Sequence, residues 1–166
     1  WVSYEDQSAN DYVVAIAEAS DNYESQQSHD TFGWMASIAP GNVPTQSSYL
    51  STVLTAEADT EVCAAAFYTT DNGTEYEITV YTDLQDPTDP TSGTASTVTS
   101  GSELYCGYHT IDLAQAVPVA QGEQYAIVVK LTNPVNPYPI ATEALITAQD
   151  GVDASRRSQE VEDAEP

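Results

Sequence analysis

The sequence predicts an all-β protein, an antiparallel β-sandwich with jelly-roll character. Short runs of β-branched and aromatic residues recur between clusters of Gly, Pro, Asn and Asp, a pattern typical of paired strands. The strongest runs are residues 62–69, 76–82, 107–113 and 125–132. Asp71-Asn72-Gly73 separates the first two with residues that tolerate positive φ, which allows the chain to reverse. Such a scaffold has no deep cleft by default, so we expect function in its loops or on one open face.

The first half of the chain carries the less regular strands. Residues 12–17, 32–38 and 49–56 are predicted strands, the last with only partial alternation. Residues 62–69 are almost entirely apolar, which predicts a central strand covered on both faces. The strand that follows the turn alternates, so Tyr76, Ile78 and Val80 are expected to point inward.

The second half continues the same pattern. Residues 94–99 are polar and predict an edge strand, whereas residues 125–132 form the most hydrophobic strand. On the strand between them, alternation places His109, Ile111 and Leu113 on one face, with Tyr108 and Asp112 on the other. Three prolines then break the regularity before a last predicted strand at residues 140–147.

The 166 residues suit one domain that is large enough to bury a core. We assign residues 1–148 to the sandwich. The composition changes after Ala148, and residues 149–166 are predicted to be an acidic linker or disordered tail.

The charge balance is extreme, with 26 Asp and Glu against 3 Lys and Arg and a net charge of −23. Nucleic acids and anionic membranes are bound through Lys and Arg, so this surface repels both. The acidity has three interpretations: solubility of an extracellular protein, adaptation to high salt, or carboxylates that bind calcium. No stretch reaches the ~20 apolar residues that a bilayer-spanning helix requires.

The chain contains two cysteines, Cys63 and Cys106. An even count in an exported protein favours one disulfide, which requires neighbouring strands and Cα atoms within ~7 Å. The alternative is two buried thiols that act as small apolar side chains.

A catalytic centre is not predicted. Cys106 and His109 lie three apart on one strand and therefore point to opposite faces. Cys63 lies among Ala residues without an electropositive neighbour that would activate its thiol. His29 lies in a polar loop that is distant in sequence from both cysteines, and only folding could bring it to either thiol. We expect His109 to be a hydrogen-bonded core histidine rather than a ligand, and the scattered Cys and His residues match no zinc spacing.

Calcium is a more plausible metal than zinc, although no cofactor is required. Hard cations bind several oxygen atoms in flexible loops, and two loops offer them: Asp71 and Asn72 in the first, and Asp83, Asp86 and Asp89 in the second. Neither loop matches the EF-hand spacing. The alternative is that these residues form ordinary Asx turns.

The aromatic composition is compatible with a sugar site. The chain has 11 Tyr, 2 Trp and only 2 Phe, and Tyr and Trp combine apolar area with a polar group. A ring can stack on the apolar face of a sugar while Asp, Asn or Gln binds the hydroxyls. The candidate aromatics are Trp34, Tyr68, Tyr81, Tyr108 and Tyr138, with Asp71, Asn72, Asp83 and Asn136 as polar partners. At least half of these aromatics are expected to be core or strand-pair residues, and Phe67 and Tyr76 are expected inside.

An ordered series of motifs resembles one known family. The motifs, which span residues 1–143, are WVSYED (1–6), FGW (32–34), AFYTT (66–70), YEITVYT (76–82), PTSGT (90–94), GYHTI (107–111), VVKLT (128–132) and YPIA (138–141). They resemble the lectin-like domain that follows the papain-like (C1) peptidase domain in secreted and surface proteins of Gram-positive bacteria. In such proteins the opening WVSY resembles the last strand of the peptidase, so the chain is expected to begin at a domain junction.

The resemblance implies a non-catalytic accessory module of an exported cysteine peptidase, with any active site upstream. The module would bind glycan or cell-wall polysaccharide and hold the enzyme near its substrate, at the cell surface or in a secreted protein. The alternative is a structural module that docks on the peptidase domain and positions it without binding glycan.

Overall fold

The computed structural model describes residues 23–27 and 33–143. The chain divides into two compact units, Trp1–Asp30 and Thr31–Pro166. Residues 23–27 belong to the first unit and contain no helix or strand. All the elements below belong to the second unit. The strand predicted at residues 12–17, His29 and the tail predicted at residues 149–166 lie outside the described residues.

Residues 33–143 form eight strands and one short 3-10 turn at Pro40–Asn42. The strands are β1 (Ala36–Ile38), β2 (Ser47–Thr55), β3 (Thr60–Thr69), β4 (Thr74–Thr82), β5 (Thr94–Glu103), β6 (Gly107–Val119), β7 (Gln124–Thr132) and β8 (Ile140–Thr142). No helix in the described part of the chain is long and apolar enough to span a bilayer.

The strands pair antiparallel throughout. One sheet has the order β2-β7-β4-β5, while β3 pairs with β6 and β1 with β8. The chain changes sheets after every one of these strands except β4, which is followed by β5 in the same four-stranded sheet. This alternation is typical of a jelly roll, and the predicted all-β sandwich is confirmed.

The core lies between the β3–β6 pair and the four-stranded sheet. Ile78, Val80 and Leu131 are completely buried, so the inward direction predicted for β4 is confirmed. Phe67 of β3 meets Tyr76 of β4 edge to face, with ring centroids 5.6 Å apart. Each large aliphatic side chain that is fully buried contributes about 1.5–3 kcal/mol, which makes these central strands the main source of stability.

The prediction that β3 is covered on both faces is wrong. Val62, Ala65 and Phe67 are buried, but Cys63 and Ala66 between them are exposed. The run is continuously apolar because the outward positions carry small side chains, and exposing an alanine forfeits little apolar area. β3 is therefore buried on one face only, although its sequence is apolar at nearly every position.

The disulfide prediction is also wrong, because Cys63 and Cys106 are free and exposed. β3 and β6 are neighbours, as the disulfide required, but their register separates the two residues. Ala64 pairs with Asp112 near one end of the ladder, and Thr69 pairs with Gly107 at the other. Cys106 follows Gly107 outward, so at about 3.3 Å per residue the two thiols lie roughly 20 Å apart. The exposure excludes the buried-thiol alternative as well.

Several strand boundaries differ from the predicted ones. β6 runs to Val119 rather than residue 113, and β5 extends to Glu103 rather than residue 99. The additional residues are mostly Ala, Gln, Gly and Ser, whose low β-propensity hid the extension. The edge position predicted for β5 is confirmed.

Candidate functional site

Asp71 and Asn72, two of the predicted polar partners, tie three loops together. The Asp71 carboxylate accepts hydrogen bonds from the backbone N–H groups of Val135 at 2.9 Å, Asn136 at 2.7 Å and Asn72 at 2.9 Å. The Asn72 amide oxygen accepts one from the Cys106 N–H at 2.9 Å. The N–H groups of Asn136 and Val135 lower the pKa of Asp71. These two side chains therefore accept hydrogen bonds from the loop backbone and hold the loops together.

Asn133 and Asn136 complete this loop network. Asn133 is 2% exposed, and its amide donates to the Thr70 hydroxyl at 2.9 Å and to the Asn136 carbonyl at 3.0 Å. Its amide oxygen accepts from the Thr74 hydroxyl at 2.8 Å. The Asn136 side chain donates to the Thr70 carbonyl and accepts from the Tyr138 N–H. Asn136, a predicted ligand residue, therefore holds the β7–β8 loop in place.

The predicted calcium residues lie in separate places. Asp71 and Asn72 precede β4, whereas Asp83 follows it and Asp86 and Asp89 lie further along that loop. The length of β4, about 25 Å at 3.3 Å per residue, separates the two groups. Within residues 23–27 and 33–143, no three His, Cys, Asp or Glu side chains converge as metal ligands would.

The second loop contains the Asx turns that were the alternative to calcium. One oxygen of Asp86 accepts both the N–H and the hydroxyl of Thr88, at 2.9 and 2.7 Å. Asp89 binds Thr91 in the same way, at 2.9 and 2.7 Å. The Thr88 hydroxyl and N–H lower the pKa of Asp86. Calcium binding stays a prediction.

Four of the five predicted aromatics gather near the end of β3. Tyr68 and Tyr108 are cross-strand partners on the outer face of the β3–β6 pair, with ring centroids 5.0 Å apart. A Cβ placed on Gly33 would lie 2.8 Å from the Tyr68 hydroxyl, which brings the segment with Trp34 alongside. The Thr70 hydroxyl donates to the Tyr138 carbonyl at 2.9 Å. The Tyr68 and Tyr108 rings are tilted by 55°, so they form a packed strand pair rather than a flat platform.

The fifth aromatic, Tyr81, lies on the outer face of the four-stranded sheet, and so does a depression that sequence reasoning missed. The depression has a volume of about 410 Å³ and is lined by residues of β4, β5 and β7: Glu75, Tyr76, Glu77, Ser100, Gly101, Ser102, Lys130 and Thr132. The register places Tyr49, Lys130, Glu77 and Ser100 side by side across the four strands. A second row of Ser47, Thr132, Glu75 and Ser102 runs beside the first.

Tyr49 lies beside this depression, as the β2 neighbour of Lys130. It is 65% exposed, and the Lys130 ammonium lies 5.9 Å from the centre of its ring. On the opposite side, Gly101 leaves room for the phenol of Tyr76, whose hydroxyl would lie 2.4 Å from a Cβ at that position. The Tyr76 ring itself points inward and packs on Phe67. Burial and the charge of Glu103 raise the pKa of the Tyr76 hydroxyl.

A family profile described as "Lectin like domain" matches residues 27–160, which is most of the chain. The chain belongs to the lectin-like domain family. No curated protein matches the sequence. The match covers every strand in the described residues and ends within the segment predicted to be a tail.

The depression gives this lectin-like domain the groups that sugar recognition uses. Carboxylates accept hydrogen bonds from sugar hydroxyls, an ammonium donates them, and the hydroxyls of Ser100, Ser102 and Thr132 do both. An exposed tyrosine offers a face for the C–H groups of a pyranose ring. All of these side chains stand on paired strands, which hold them more firmly than loops would.

His109 of the lectin-like domain has a structural role. Its Nδ1 lies 3.3 Å from the Glu103 carboxylate, and its Nε2 lies 3.1 Å from the Thr69 hydroxyl and 3.0 Å from the Tyr105 carbonyl. The carboxylate–imidazole–hydroxyl order is that of a hydrolase triad. However, Thr69 is completely buried, so a substrate could not approach its hydroxyl. The contacts match the hydrogen-bonded histidine that the sequence predicted.

Proposed function

We propose that this lectin-like domain is a non-catalytic module that binds carbohydrate in the depression on the outer face of the four-stranded sheet. One observation carries the proposal: the register sets an exposed aromatic ring, an ammonium, a carboxylate and a hydroxyl in one row, Tyr49, Lys130, Glu77 and Ser100. The row extends across all four strands and is long enough to contact two sugar units, since neighbouring strands lie ~4.8 Å apart.

Binding of the chain to a broad glycan array tests the proposal, and calorimetry with the best ligand then compares variants. Tyr49→Ala should weaken binding about tenfold, because an aromatic contact contributes roughly 1–1.5 kcal/mol beyond its buried area. Tyr138→Ala is the matched control, since Tyr138 is an exposed tyrosine on another part of the domain. Absence of saturable binding would refute the proposal. Loss in the Tyr138 variant alone would move the site to the sequence-predicted aromatics.

The same array, repeated with calcium and with a chelator, tests the calcium prediction. We expect binding in both conditions, because the lining of the depression includes no cluster of metal ligands. A chelator that abolishes binding would assign the metal to the site, with Asp83, Asp86 and Asp89 as the first residues to replace.

We further propose that the module belongs to an exported papain-like cysteine peptidase of a Gram-positive bacterium and holds the enzyme near glycan in the cell wall. The ordered motifs in the sequence support this placement, as does an acidic surface suited to a secreted or cell-surface protein. Sequencing the coding region upstream of residue 1 tests it. A C1 peptidase domain there would support the proposal, and any other neighbour would contradict it.

A specific observation also favours the second candidate, a module that docks on the peptidase. Leu104, Tyr105 and Val135 are 69%, 69% and 77% exposed, and their loops are joined through Asp71 and Asn72. Large apolar side chains clustered on a surface are typical of protein contacts. Replacing all three with Ser should abolish binding to the upstream domain if this face docks. The glycan affinity of the same variant should remain unchanged.

A further inference from the structure

The charges around the depression point to the class of sugar that it accepts. Glu75 and Glu77 both line it, and Lys130, the only lysine of the chain, is the one basic residue in the lining. The lining therefore has an excess of negative charge, and it belongs to a chain with a net charge of −23.

Lys130 forms no ion pair within 4 Å with its acidic neighbours in the depression. It stands opposite Glu77 in the β4–β7 register, but its ammonium leans over the Tyr49 ring. In the part of the chain that the structure describes, neither Glu75 nor Glu77 forms an ion pair within 4 Å. Both carboxylates of the depression therefore remain available to a ligand.

We propose that the depression selects glycans with free amino groups, which are protonated at neutral pH, over N-acetylated and acidic glycans. This inference rests on the carbohydrate-binding role proposed above and names its substrate class. The ammonium of one sugar unit can donate to the carboxylates of Glu75 and Glu77 while a neighbouring unit stacks on Tyr49, on the other side of Lys130 in the row. N-acetylation removes that charge, and a uronic acid replaces attraction by repulsion from the same two carboxylates. At ~4 Å near a solvated surface, one such charge pair changes affinity about five- to tenfold.

Calorimetry of the whole chain with three tetrasaccharides tests this selectivity: a glucosamine tetramer, its fully N-acetylated form and an oligogalacturonate. We expect the glucosamine tetramer to bind five- to tenfold more tightly than the acetylated one. The oligogalacturonate should bind most weakly. Raising the salt from 20 to 500 mM should reduce the preference, because exposed charges are then screened.

Two double variants separate a local effect from the general acidity of the protein. Glu75→Gln with Glu77→Gln should bring the glucosamine and acetylated tetramers to within about twofold of each other. The matched control, Glu57→Gln with Glu61→Gln, removes the same charge from the β2–β3 connection and the start of β3 and should keep the preference. An equal loss of this preference in both double variants would show that the net negative charge of the whole protein attracts the amine. That result would overturn the inference.

The proposed selectivity for amino sugars and the proposed carbohydrate binding can be refuted separately. If the amino and acetylated tetramers bind with equal affinity, and Tyr49→Ala weakens both, the selectivity is wrong and the carbohydrate site stands. If none of the three tetramers binds at either salt concentration, and the array also shows no ligand, the carbohydrate role itself fails.

Discussion

Replacing Asn133 with Ala should strongly destabilise the domain, because this side chain joins three segments from inside the protein. It is 2% exposed and forms three side-chain hydrogen bonds, at 2.9, 3.0 and 2.8 Å, to Thr70, Asn136 and Thr74. Alanine leaves the Asn136 carbonyl without this donor. The Thr74 hydroxyl retains its bond to the Asp71 carbonyl at 2.9 Å.

The expected loss follows from these contacts. A hydrogen bond contributes about 1 kcal/mol net, so three contribute ~3 kcal/mol. The missing amide also leaves a small void, which adds up to ~1 kcal/mol if the loops do not close over it. The free energy of unfolding should therefore fall by about 3–4 kcal/mol, which lowers the Tm of a domain of this size by roughly 10 °C.

Urea unfolding at pH 7, followed by tryptophan fluorescence and circular dichroism, measures the change. Gln85→Ala is the control, since this exposed side chain forms one hydrogen bond, to the Asp83 carbonyl, and should cost under ~0.5 kcal/mol. Asn133→Asp keeps the acceptor for Thr74 but sets a carboxylate oxygen against the Asn136 carbonyl. It should be destabilised at pH 7 and recover as the pH falls and the carboxyl protonates. A loss below 1 kcal/mol for Asn133→Ala would refute the assignment of this residue as a structural clamp.

Three further predictions concern the loops and the thiols. Asp71→Ala should cost about 1–2 kcal/mol at pH 7, since three backbone N–H groups lose a charged acceptor. Because folding lowers the pKa of Asp71, its stabilisation is present above pH ~3.8 and is lost as the pH falls further, so urea titrations should show the mutant and wild type converging in acid. Gly93→Ala would place a Cβ 2.2 Å from the Thr82 carbonyl oxygen and should lower the Tm, whereas an unchanged Tm would contradict this close approach. Native protein without reductant should show two reactive thiols with Ellman's reagent, Cys63 and Cys106, and fewer than two would contradict the exposure of both side chains.

The fold could be predicted from the sequence wherever neighbouring residues carry the signal. Alternation at Ile78 and Val80 located the core face of β4, and both side chains are completely buried. Residues 62–69 misled the prediction, because a row of alanines is apolar whether it is buried or not. The disulfide failed for a related reason: it required the strands of the two cysteines to be neighbours, which β3 and β6 are, but the sequence contains no measure of their register.

The depression could not be predicted from the sequence for the same reason. Its aromatic, ammonium and carboxylate come from positions 49, 130 and 77, which only the strand order brings into one row. Tyr49 lay in the strand whose alternation was weakest. Lys130 lies in the strand that the sequence marks as the most hydrophobic, so it did not stand out as a binding residue. A usable signal did exist in the sequence, since the single lysine of so acidic a chain lies within a strand rather than in a loop.

The loop network adjoins the depression, because both lie at the same ends of β4 and β7. Thr74 immediately precedes Glu75 on β4, and Asn133 immediately follows Thr132 on β7. Glu75 and Thr132 are register partners, and both line the depression. The buried hydrogen bond between the Thr74 hydroxyl and Asn133 therefore clamps the two strands at the edge of the proposed binding row. Asp71, Asn72 and Asn136, which the sequence predicted as ligand residues, hold the loops next to this edge of the sheet, and the residues of the proposed binding row stand on the adjoining strands.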